Sequence, residues 1–332
     1  MVTIQTVRSN NAALKDLGPG LVAVFVGGTS GIGLSTARAF VKNTTAPRVY
    51  LVGRNQEEAT KITQEFDKIN PESKTTFVKA DLSLLRNVDK ACSEIQAREP
   101  KVNLLFMTAG YFTTKGREET AEGLDRKFSL HYYARWRFAQ NLLPQLTAAG
   151  TSTPLSRVVS VLDPNIRTGL VLDDLSLKTH FTLGNCAAHA CAFNDFAVET
   201  MAAANPNTAF VHAFPGLVNT GLARTFGPVL RVGVGILMTV LKPFMVPLPE
   251  SGERHLYAAT SQTYPPKAKA GEGAALGSDG VKGSGAYWLS WNGERMENER
   301  LKGYRAQALG KTVWAHTQEV FDKIRGTEGG KY

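Results

Sequence analysis

The sequence predicts an α/β fold built on a single doubly wound parallel sheet. Short apolar runs rich in β-branched residues alternate along the chain with amphipathic stretches long enough to form helices. This alternation is typical of a parallel sheet that is covered by helices on both faces. A glycine-rich turn directly after the first apolar run supports the same fold class, because that turn opens many nucleotide-binding sheets.

The elements follow one another without an internal repeat. Strands are predicted at Leu21–Val26, Arg48–Val52, Thr76–Lys79, Val102–Met107, Arg157–Val161, Ala209–Ala213 and Ala286–Ser290. Helices are predicted at Gly33–Lys42, Gln56–Ile69, Val88–Arg98, Ala121–Leu146, Gly184–Ala204 and Asn298–Ile324. Arg224–Pro249 predicts a lid inserted after the sixth strand, and Pro265–Gly285 predicts a long loop. We expect one domain over residues 1–332, with a cofactor half at 21–115, a substrate half at 116–290 that contains the lid at 224–249, and a C-terminal helix at 298–324.

Composition narrows the class of protein. Of the 332 residues, 43% are hydrophobic and 20% are charged, which is ordinary for a globular domain. The net charge of +9 comes from basic residues interleaved with acidic ones, so we expect no nucleic-acid partner. Cys92, Cys186 and Cys191 are odd in number and lack C-x-x-C spacing, which favours free thiols in a reducing, cytoplasmic compartment and no metal site.

Two segments bear on membranes. Met1–Gly20 has no apolar core of the kind a secretory signal carries. Val232–Leu241 is apolar but far shorter than the roughly 20 residues of a membrane span. We therefore expect no integral membrane segment and interpret Val232–Leu241 as a lid or pocket helix, with peripheral membrane contact as the alternative. The sequence leaves open whether the chain is a monomer or a homo-oligomer.

A nucleotide-binding turn is predicted at Gly27-x-x-x-Gly31-x-Gly33, between the first strand and the first helix of the sheet. Glycines let the backbone approach a pyrophosphate, and a helix N-terminus offers free N–H groups with partial positive charge. The expected contacts of this turn are Gly27, Thr29, Ser30, Gly31, Ile32 and Gly33.

Arg54 follows the second strand, at the position that selects between the two nicotinamide dinucleotides. An acid there binds a ribose hydroxyl, whereas an arginine accommodates the 2′-phosphate. Arg54 therefore predicts NADP(H), although a solvated arginine is the plainer alternative.

Two further motifs complete a pattern that resembles the short-chain dehydrogenase/reductase family over about Leu21 to Ser290. They are Ala109-Gly110 after the fourth strand and Pro215-Gly216-Leu217-Val218-Asn219-Thr220 after the sixth. The resemblance implies that Asp81 and Leu82 contact adenine and that Thr220 binds the nicotinamide carboxamide. It also implies cofactor contacts from Ala109, Gly110, Pro215, Gly216 and Val218.

The residues that carry the family's proton chemistry are replaced. The family uses an Asn, a Ser and a Tyr-x-x-x-Lys pair. The corresponding positions here are His131, Leu162-Asp163, Leu183 and Ala187. The segment Phe181–Ala204 contains neither Tyr nor Lys, so no shift of the alignment restores the pair.

Loss of the acid disfavours ordinary carbonyl reduction, since positioned acid catalysis contributes about 10²–10⁴ in rate. An iminium accepts hydride without an acid, and Asp163 is the expected carboxylate that stabilises its charge. Asp163 also fits a simple turn, because Pro164-Asn165 follows. His131 fits either a site residue that binds substrate or shuttles a proton, or a core histidine.

Tyr111 and Phe112 are candidate pocket aromatics, and His189 lies near the pocket helix without a defined role.

The chain resembles, end to end, fungal short-chain-dehydrogenase-like proteins of secondary metabolism that have lost the same Tyr and Lys. The stretches Ala23–Gly33 and Ser129–Tyr133 carry this resemblance. Some members, in prenylated-indole alkaloid pathways, are bifunctional reductase/Diels–Alderases that reduce a cyclic iminium with NADPH, assisted by an Asp, before a [4+2] closure. Those enzymes use an Arg on the helix where His131 lies. The resemblance implies an iminium reductase for a small, indole-derived substrate; a redox-neutral cyclase with bound NADP and a catalytically silent NADP-binding regulator are the alternatives.

Overall fold

A computed structural model describes residues 1–164, 169–220, 233, 239–326 and 330–332. Within these residues, seven parallel strands form one sheet in the order β3-β2-β1-β4-β5-β6-β7. The strand order reverses between β1 and β4, which is the signature of a doubly wound sheet. The predicted fold class is therefore confirmed. Most of the predicted lid, residues 224–232 and 234–238, lies outside the described residues.

The bounds of the elements are as follows. The strands are β1 Val22–Val26, β2 Arg48–Gly53, β3 Lys74–Lys79, β4 Leu104–Met107, β5 Arg157–Val161, β6 Ala209–Ala213 and β7 Ala286–Leu289. The helices are α1 Ile4–Ala12, α2 Gly31–Asn43, α3 Gln56–Ile69, α4 Leu85–Gln96, α5 Arg126–Phe128, α6 Ala134–Asn141, α7 Leu143–Ser152, α8 Leu183–Ala204, α9 Leu248–Thr260, α10 Glu299–Ala306 and α11 Leu309–Gly326. A π-helical turn at Ser129–Tyr133 joins α5 to α6, and short 3₁₀ turns lie at Ala13–Leu17, Lys242–Phe244 and Lys267–Lys269.

The core consists of two apolar layers, one on each face of the sheet. Alternate residues of β1 point to opposite faces, so Val24 packs in one layer and Phe25 in the other. Both side chains are fully buried. Burial on both faces explains why the strands read as continuous apolar runs rather than as alternating ones.

The prediction of one continuous helix over Ala121–Leu146 was wrong. The helical segment begins after Asp125, whose carboxylate accepts from the backbone nitrogens of Lys127 and Phe128 at 2.9 and 3.0 Å. The segment widens into the π turn and then restarts as α7, where Pro144 occupies the first helical turn. Proline has no backbone N–H and cannot continue the hydrogen-bond ladder of α6.

The C-terminal helix was also predicted as one element, and it is two. Ala308 adopts φ of +53° between α10 and α11, a conformation that ends a helix. Two helices, α1 and α9, were not predicted. Helix α1 buries only Val7 and Asn11 among its residues. Its sequence therefore shows no apolar periodicity that would predict a helix.

Helix α9 braces α2, the helix that follows the glycine-rich turn. The Ser35 hydroxyl donates to the Leu248 carbonyl at 2.8 Å. A Cβ on Gly252 would lie 2.4 Å from the Ser35 Oγ. The two helices can approach this closely because Gly252 has no side chain. This contact fixes α2 against the sheet and therefore fixes the direction in which its N-terminus points.

Arg157, at the start of β5, is fully buried and holds the segment after α9. Its Nη1 donates to the carbonyls of Ala258 and Ser261 at 3.1 and 2.9 Å, and its Nη2 donates to the Tyr264 carbonyl. Removing the guanidinium would leave these three buried acceptors unpaired, and each unpaired acceptor costs about 1–3 kcal/mol.

We predict that Arg157→Met lowers the free energy of unfolding by about 3 kcal/mol or more, measured by urea denaturation. The matched control is Arg38→Met, because Arg38 forms a half-exposed pair with Glu65 at 2.6 Å. Exposed pairs contribute at most about 1 kcal/mol. Equal losses in the two variants would contradict the role given to Arg157.

Candidate active site

The predicted nucleotide-binding turn lies at the carboxyl end of β1, where three backbone segments converge. Gly27 adopts φ of +88°, and a Cβ there would lie 2.7 Å from the Ala109 nitrogen. A Cβ on Gly33 would lie 2.5 Å from the Gly27 carbonyl oxygen, and Gly31 adopts φ of +55°. Only glycine fits at these positions. The spacing of the three glycines therefore follows from the close approach of the backbone.

The N-terminus of α2 faces the same turn and is suited to an anion. Among the described residues, the Ser30 side chain makes no capping hydrogen bond to α2, and the first turn holds no acid. The leading N–H groups of a helix lack intrahelical acceptors and carry partial positive charge. Thr29 lies against the end of β2, since a Cβ on Gly53 would be 3.3 Å from its Oγ1. This cradle fits the pyrophosphate of a dinucleotide.

The ends of β2 and β3 bring the predicted Arg54 and Asp81 together. Ser83 donates to the Asp81 carboxylate from its backbone nitrogen at 3.1 Å and from its hydroxyl at 2.8 Å. Burial raises the pKa of Asp81, but these hydrogen bonds and the charges of Arg126 and Arg54 outweigh burial, and the pKa lies below its usual value. Arg54 itself is exposed. An exposed guanidinium beside an anchored carboxylate fits a ribose 2′-phosphate next to adenine.

The segment after β6 closes the site from the other side. A Cβ on Gly31 would lie 3.3 Å from Thr220 Cβ, so Thr220 borders the glycine-rich turn. Gly216 adopts φ of +71°, and a Cβ there would lie 2.9 Å from the Trp291 ring. Gly216 thus lets the chain turn after Pro215 and carry Thr220 back toward α2.

Three of the predicted cofactor contacts have buried side chains. Ile32, Leu82 and Val218 each expose less than a tenth of their surface and pack in the core. Any cofactor contact from these three residues would therefore come from the main chain.

His131 lies in the π-helical turn, with its ring directly on Gly110. A Cβ on Gly110 would lie 2.5 Å from the His131 Nε2. Burial lowers the pKa of His131 to about 3, assisted by the charges of Arg135 and Lys127. This direction favours a neutral ring, and the predicted roles of His131, a proton shuttle or a hydrogen-bond partner of the substrate, stay predictions. π-Helical turns are frequent at functional sites.

Sequence reasoning missed Arg135, which lies one helical turn beyond His131. The Arg135 guanidinium is buried and donates to the Ala109 carbonyl at 2.9 Å and to the Val161 carbonyl at 2.8 Å. It therefore joins the carboxyl ends of β4 and β5. The signal was an arginine four residues after a candidate site residue, which places both on one side of the same helical segment.

A polar network continues from Arg135 to α8 through Ser160 and Asn194. Arg135 Nη1 donates to Ser160 Oγ at 2.8 Å, and Ser160 Oγ donates to Asn194 Oδ1 at 2.7 Å. Asn194 Nδ2 donates in turn to the His131 carbonyl at 2.9 Å. These contacts hold the π turn, β5 and α8 in one fixed arrangement behind the candidate site.

The positions of the family's Tyr and Lys lie on an exposed face at the start of α8. The Thr182 hydroxyl caps the helix by accepting from the Asn185 nitrogen at 3.0 Å. Leu183 and Ala187 follow on adjacent turns, and both are exposed. The two residues therefore have the predicted four-residue spacing on α8, but neither side chain can donate a proton.

Asp163 lies just beyond β5, close to α8. The Leu162 nitrogen donates to the Ala213 carbonyl at 3.0 Å. Asp163 directly follows this hydrogen bond between the ends of β5 and β6. Burial raises the pKa values of Cys191 and Asp195, and nearby acids that include Asp163 raise both further. Asp163 therefore lies next to the helix that carries Leu183 and Ala187.

The remaining candidates have structural contacts. The Tyr111 hydroxyl donates to Glu118 at 2.8 Å. His189 Nε2 accepts from the Val171 nitrogen at 2.9 Å, and Nδ1 lies 3.2 Å from the Leu175 carbonyl, so this ring anchors the loop before α8. Phe112 is exposed and remains a candidate pocket aromatic.

The three cysteines are buried and free. No group of acidic, histidine or cysteine side chains in the described part of the chain is arranged to hold a metal ion. Within the same residues, no helix is both long and apolar enough to cross a membrane.

Comparison with known proteins places the chain in a family. Residues 21–161 match the family described as short chain dehydrogenase. Oxidoreductase AN1596 of Emericella nidulans is 41% identical over 97% of this chain and 99% of its own length. The short-chain dehydrogenase/reductase SAT2 of Stachybotrys chartarum is 30% identical over 98% of this chain and 98% of its own length. The chain belongs to the short-chain dehydrogenase/reductase family, and the predicted likeness to fungal members is confirmed.

A solved structure supports the fold. The NADPH-bound carbonyl reductase from chicken fatty liver superposes with a TM-score of 0.57 at 16% identity, covering 84% of this chain and 100% of that one. The protein is an oxidoreductase of this family, with the site described above at the carboxyl edge of its sheet.

Arg54 provides the test of cofactor choice. We predict that Arg54→Ala weakens NADPH binding by about tenfold or more and leaves NADH binding nearly unchanged, because a charge-assisted phosphate contact contributes about 1–3 kcal/mol. Fluorescence titration of both cofactors measures the effect. Arg8→Ala is the control, since Arg8 is an exposed arginine paired with Glu253 on the α1 side. Equal affinity of the parent protein for NADPH and NADH would refute the assignment.

Proposed function

We propose that the protein is an NADPH-dependent reductase that delivers hydride, without a protein acid, to an iminium or to an imine that has already taken a proton from solvent. The observation that carries the proposal is the exposed face of α8, where Leu183 and Ala187 replace the family's acid pair. Asp163 lies near Cys191 and Asp195, further along the same helix. A protein that keeps the dinucleotide cradle but lacks a proton donor suits a substrate that needs hydride alone.

The cradle supports a nicotinamide dinucleotide as the cofactor. The glycine-rich turn and the α2 N-terminus would hold the pyrophosphate, Arg54 the 2′-phosphate, and Thr220 the nicotinamide end. When bound, the reduced cofactor supplies hydride. The NADPH-bound state of the chicken carbonyl reductase, a protein of the same fold, is consistent with this choice.

Asp163 is the proposed partner of a cationic substrate. A carboxylate and a cation about 4 Å apart attract by roughly 4 kcal/mol at an effective dielectric near 20. The Asp163 carboxylate would therefore orient the cation. His131, held neutral by its surroundings, would donate or accept one hydrogen bond without adding charge.

The fungal relatives favour a role in secondary metabolism, and we propose a small, indole-derived cyclic iminium as substrate. A stereoselective [4+2] closure in the same pocket is the finer form of this proposal, tested by analysing the products. We also infer a cytoplasmic location, since the three cysteines are free.

Restoring the missing pair should not restore carbonyl chemistry. We predict that Leu183→Tyr combined with Ala187→Lys leaves ketone reduction at the parent level, because acid catalysis needs a donor held to a fraction of an ångström by its neighbours. NADPH oxidation with a set of ketones measures this, and circular dichroism checks the fold. Robust ketone reduction by the double variant would show that the pocket is an ordinary carbonyl site.

Replacing Asp163 tests the proposed function most simply. We predict that Asp163→Asn slows hydride transfer to a cyclic iminium by about tenfold or more, since each 1.4 kcal/mol is a decade in rate, and leaves NADPH affinity unchanged. Single-turnover rates at saturating NADPH give the comparison. Asp173→Asn is the control, because Asp173 is an exposed acid that is not one of the candidate site residues.

If Asp163 only shapes the turn, Asn substitutes well and the two variants match the parent; that result would remove Asp163 from the site. NADPH binding with no oxidation by any imine would instead favour the silent NADP-binding regulator.

A further inference from the structure

Arg126, at the start of α5, is a half-buried arginine that the proposed function does not use. Its Cζ lies 5.7 Å from the centroid of the Tyr111 ring, within the range of a cation–π contact. The two residues share a neighbour, because the Tyr111 hydroxyl donates to the Glu118 carboxylate at 2.8 Å and the Arg126 nitrogen donates to the Glu118 carbonyl at 2.8 Å. The guanidinium therefore lies over an anchored aromatic ring just beyond the end of β4.

The basic neighbours of Arg126 are each paired with an acid of the same segment. The ion pairs are Lys115–Glu118, Arg117–Glu119 and Lys127–Asp125, with N···O distances of 3.6, 2.5 and 3.9 Å. Among the described residues, no carboxylate forms an ion pair with Arg126, and its guanidinium makes no hydrogen bond to them. The planar group of Arg126 is therefore available to a ligand.

Arg126 also lies near the end of β3, where the adenine of a dinucleotide is expected. Burial raises the pKa of Asp81, while hydrogen bonds from Ser83 and then the charges of Arg126 and Arg54 lower it. Exposed charges act on one another only over about 10 Å, so both guanidiniums lie close to this carboxylate. Asp81 is the predicted adenine contact, and Arg54 is the predicted contact of the 2′-phosphate. The space beside Asp81 is thus bordered by Arg54 from β2 and by Arg126 from α5.

We propose that Arg126, supported by the Tyr111 ring, stacks on the adenine of the cofactor. This inference rests on the nicotinamide cofactor of the proposed function. A guanidinium is planar, weakly hydrated and suited to stacking on aromatic rings, and every base offers a π face for such a contact. Adenine is common to NADPH and NADH, whereas only NADPH carries the 2′-phosphate. Arg126 therefore contributes to the affinity of both cofactors, and Arg54 to that of NADPH alone.

The experiment measures dissociation constants for NADPH and NADH by fluorescence titration, without any substrate. Arg126→Leu should weaken the binding of both by about fivefold or more, the level at which a stacking or cation–π contact contributes. Arg126→Lys keeps the charge but loses the planar group, and it should still weaken both by about threefold. Lys115→Leu is the matched control, because it removes a positive charge from the same segment at a side chain that is 74% exposed. It should leave both affinities unchanged.

The pattern across the two cofactors decides the outcome. A loss confined to NADPH would overturn the inference, because it would place Arg126 on the 2′-phosphate. Parental affinities in Arg126→Lys would also overturn it, since charge alone would then account for the contact, and this variant decides the matter if Arg126→Leu fails to fold by circular dichroism. An equal loss in Lys115→Leu, or no loss in a folded Arg126→Leu variant, would contradict it as well. If the parent binds neither cofactor, the proposed function itself fails, whereas unimpaired binding by the variants removes only the role of Arg126.

Discussion

The close approach of three backbone segments at the carboxyl end of β1 is the constraint on which the site depends. Gly27 lies against Ala109, and Gly33 lies against the Gly27 carbonyl. Both contacts are possible only because glycine has no Cβ atom. This contact fixes the start of α2 relative to β4. The packing of Gly252 on Ser35 then holds α2 against α9. The direction of the helix N-terminus, and hence the position of any bound phosphate, follows from these approaches.

The fold does not depend on the acid pair that this chain lacks. Leu183 and Ala187 lie on an exposed face of α8, while the helix itself is held by the Thr182 cap and by Asn194, which reaches Ser160 and the His131 carbonyl. The pair could therefore be lost without loss of the fold. What remains is the dinucleotide cradle beside an α8 face on which Leu183 and Ala187 offer no proton donor.

The sequence predicted the parts of this structure that are encoded by local pattern. Continuous apolar runs marked the strands because both sheet faces are covered, and glycine spacing marked the turn because the backbone approach requires it. It did not predict the π turn at Ser129–Tyr133, which differs from an α-helix by hydrogen bonds that no side-chain periodicity reports. It also could not show that the Arg135 guanidinium joins the ends of β4 and β5, or that burial lowers the pKa of His131, because both depend on tertiary packing.

If the proposed function holds, hydride reaches the substrate without a proton from the protein. The most direct measurement compares single-turnover oxidation of bound NADPH by a permanently cationic N-methyl cyclic iminium and by the ketone of the same ring, at equal saturation of the parent protein. We expect the iminium to be reduced and the ketone not to be, with a difference of at least about 10² in rate, the lower end of what a positioned acid contributes. Comparable rates for the two compounds would contradict it, because they would require a proton donor in the cleft that Leu183 and Ala187 do not supply.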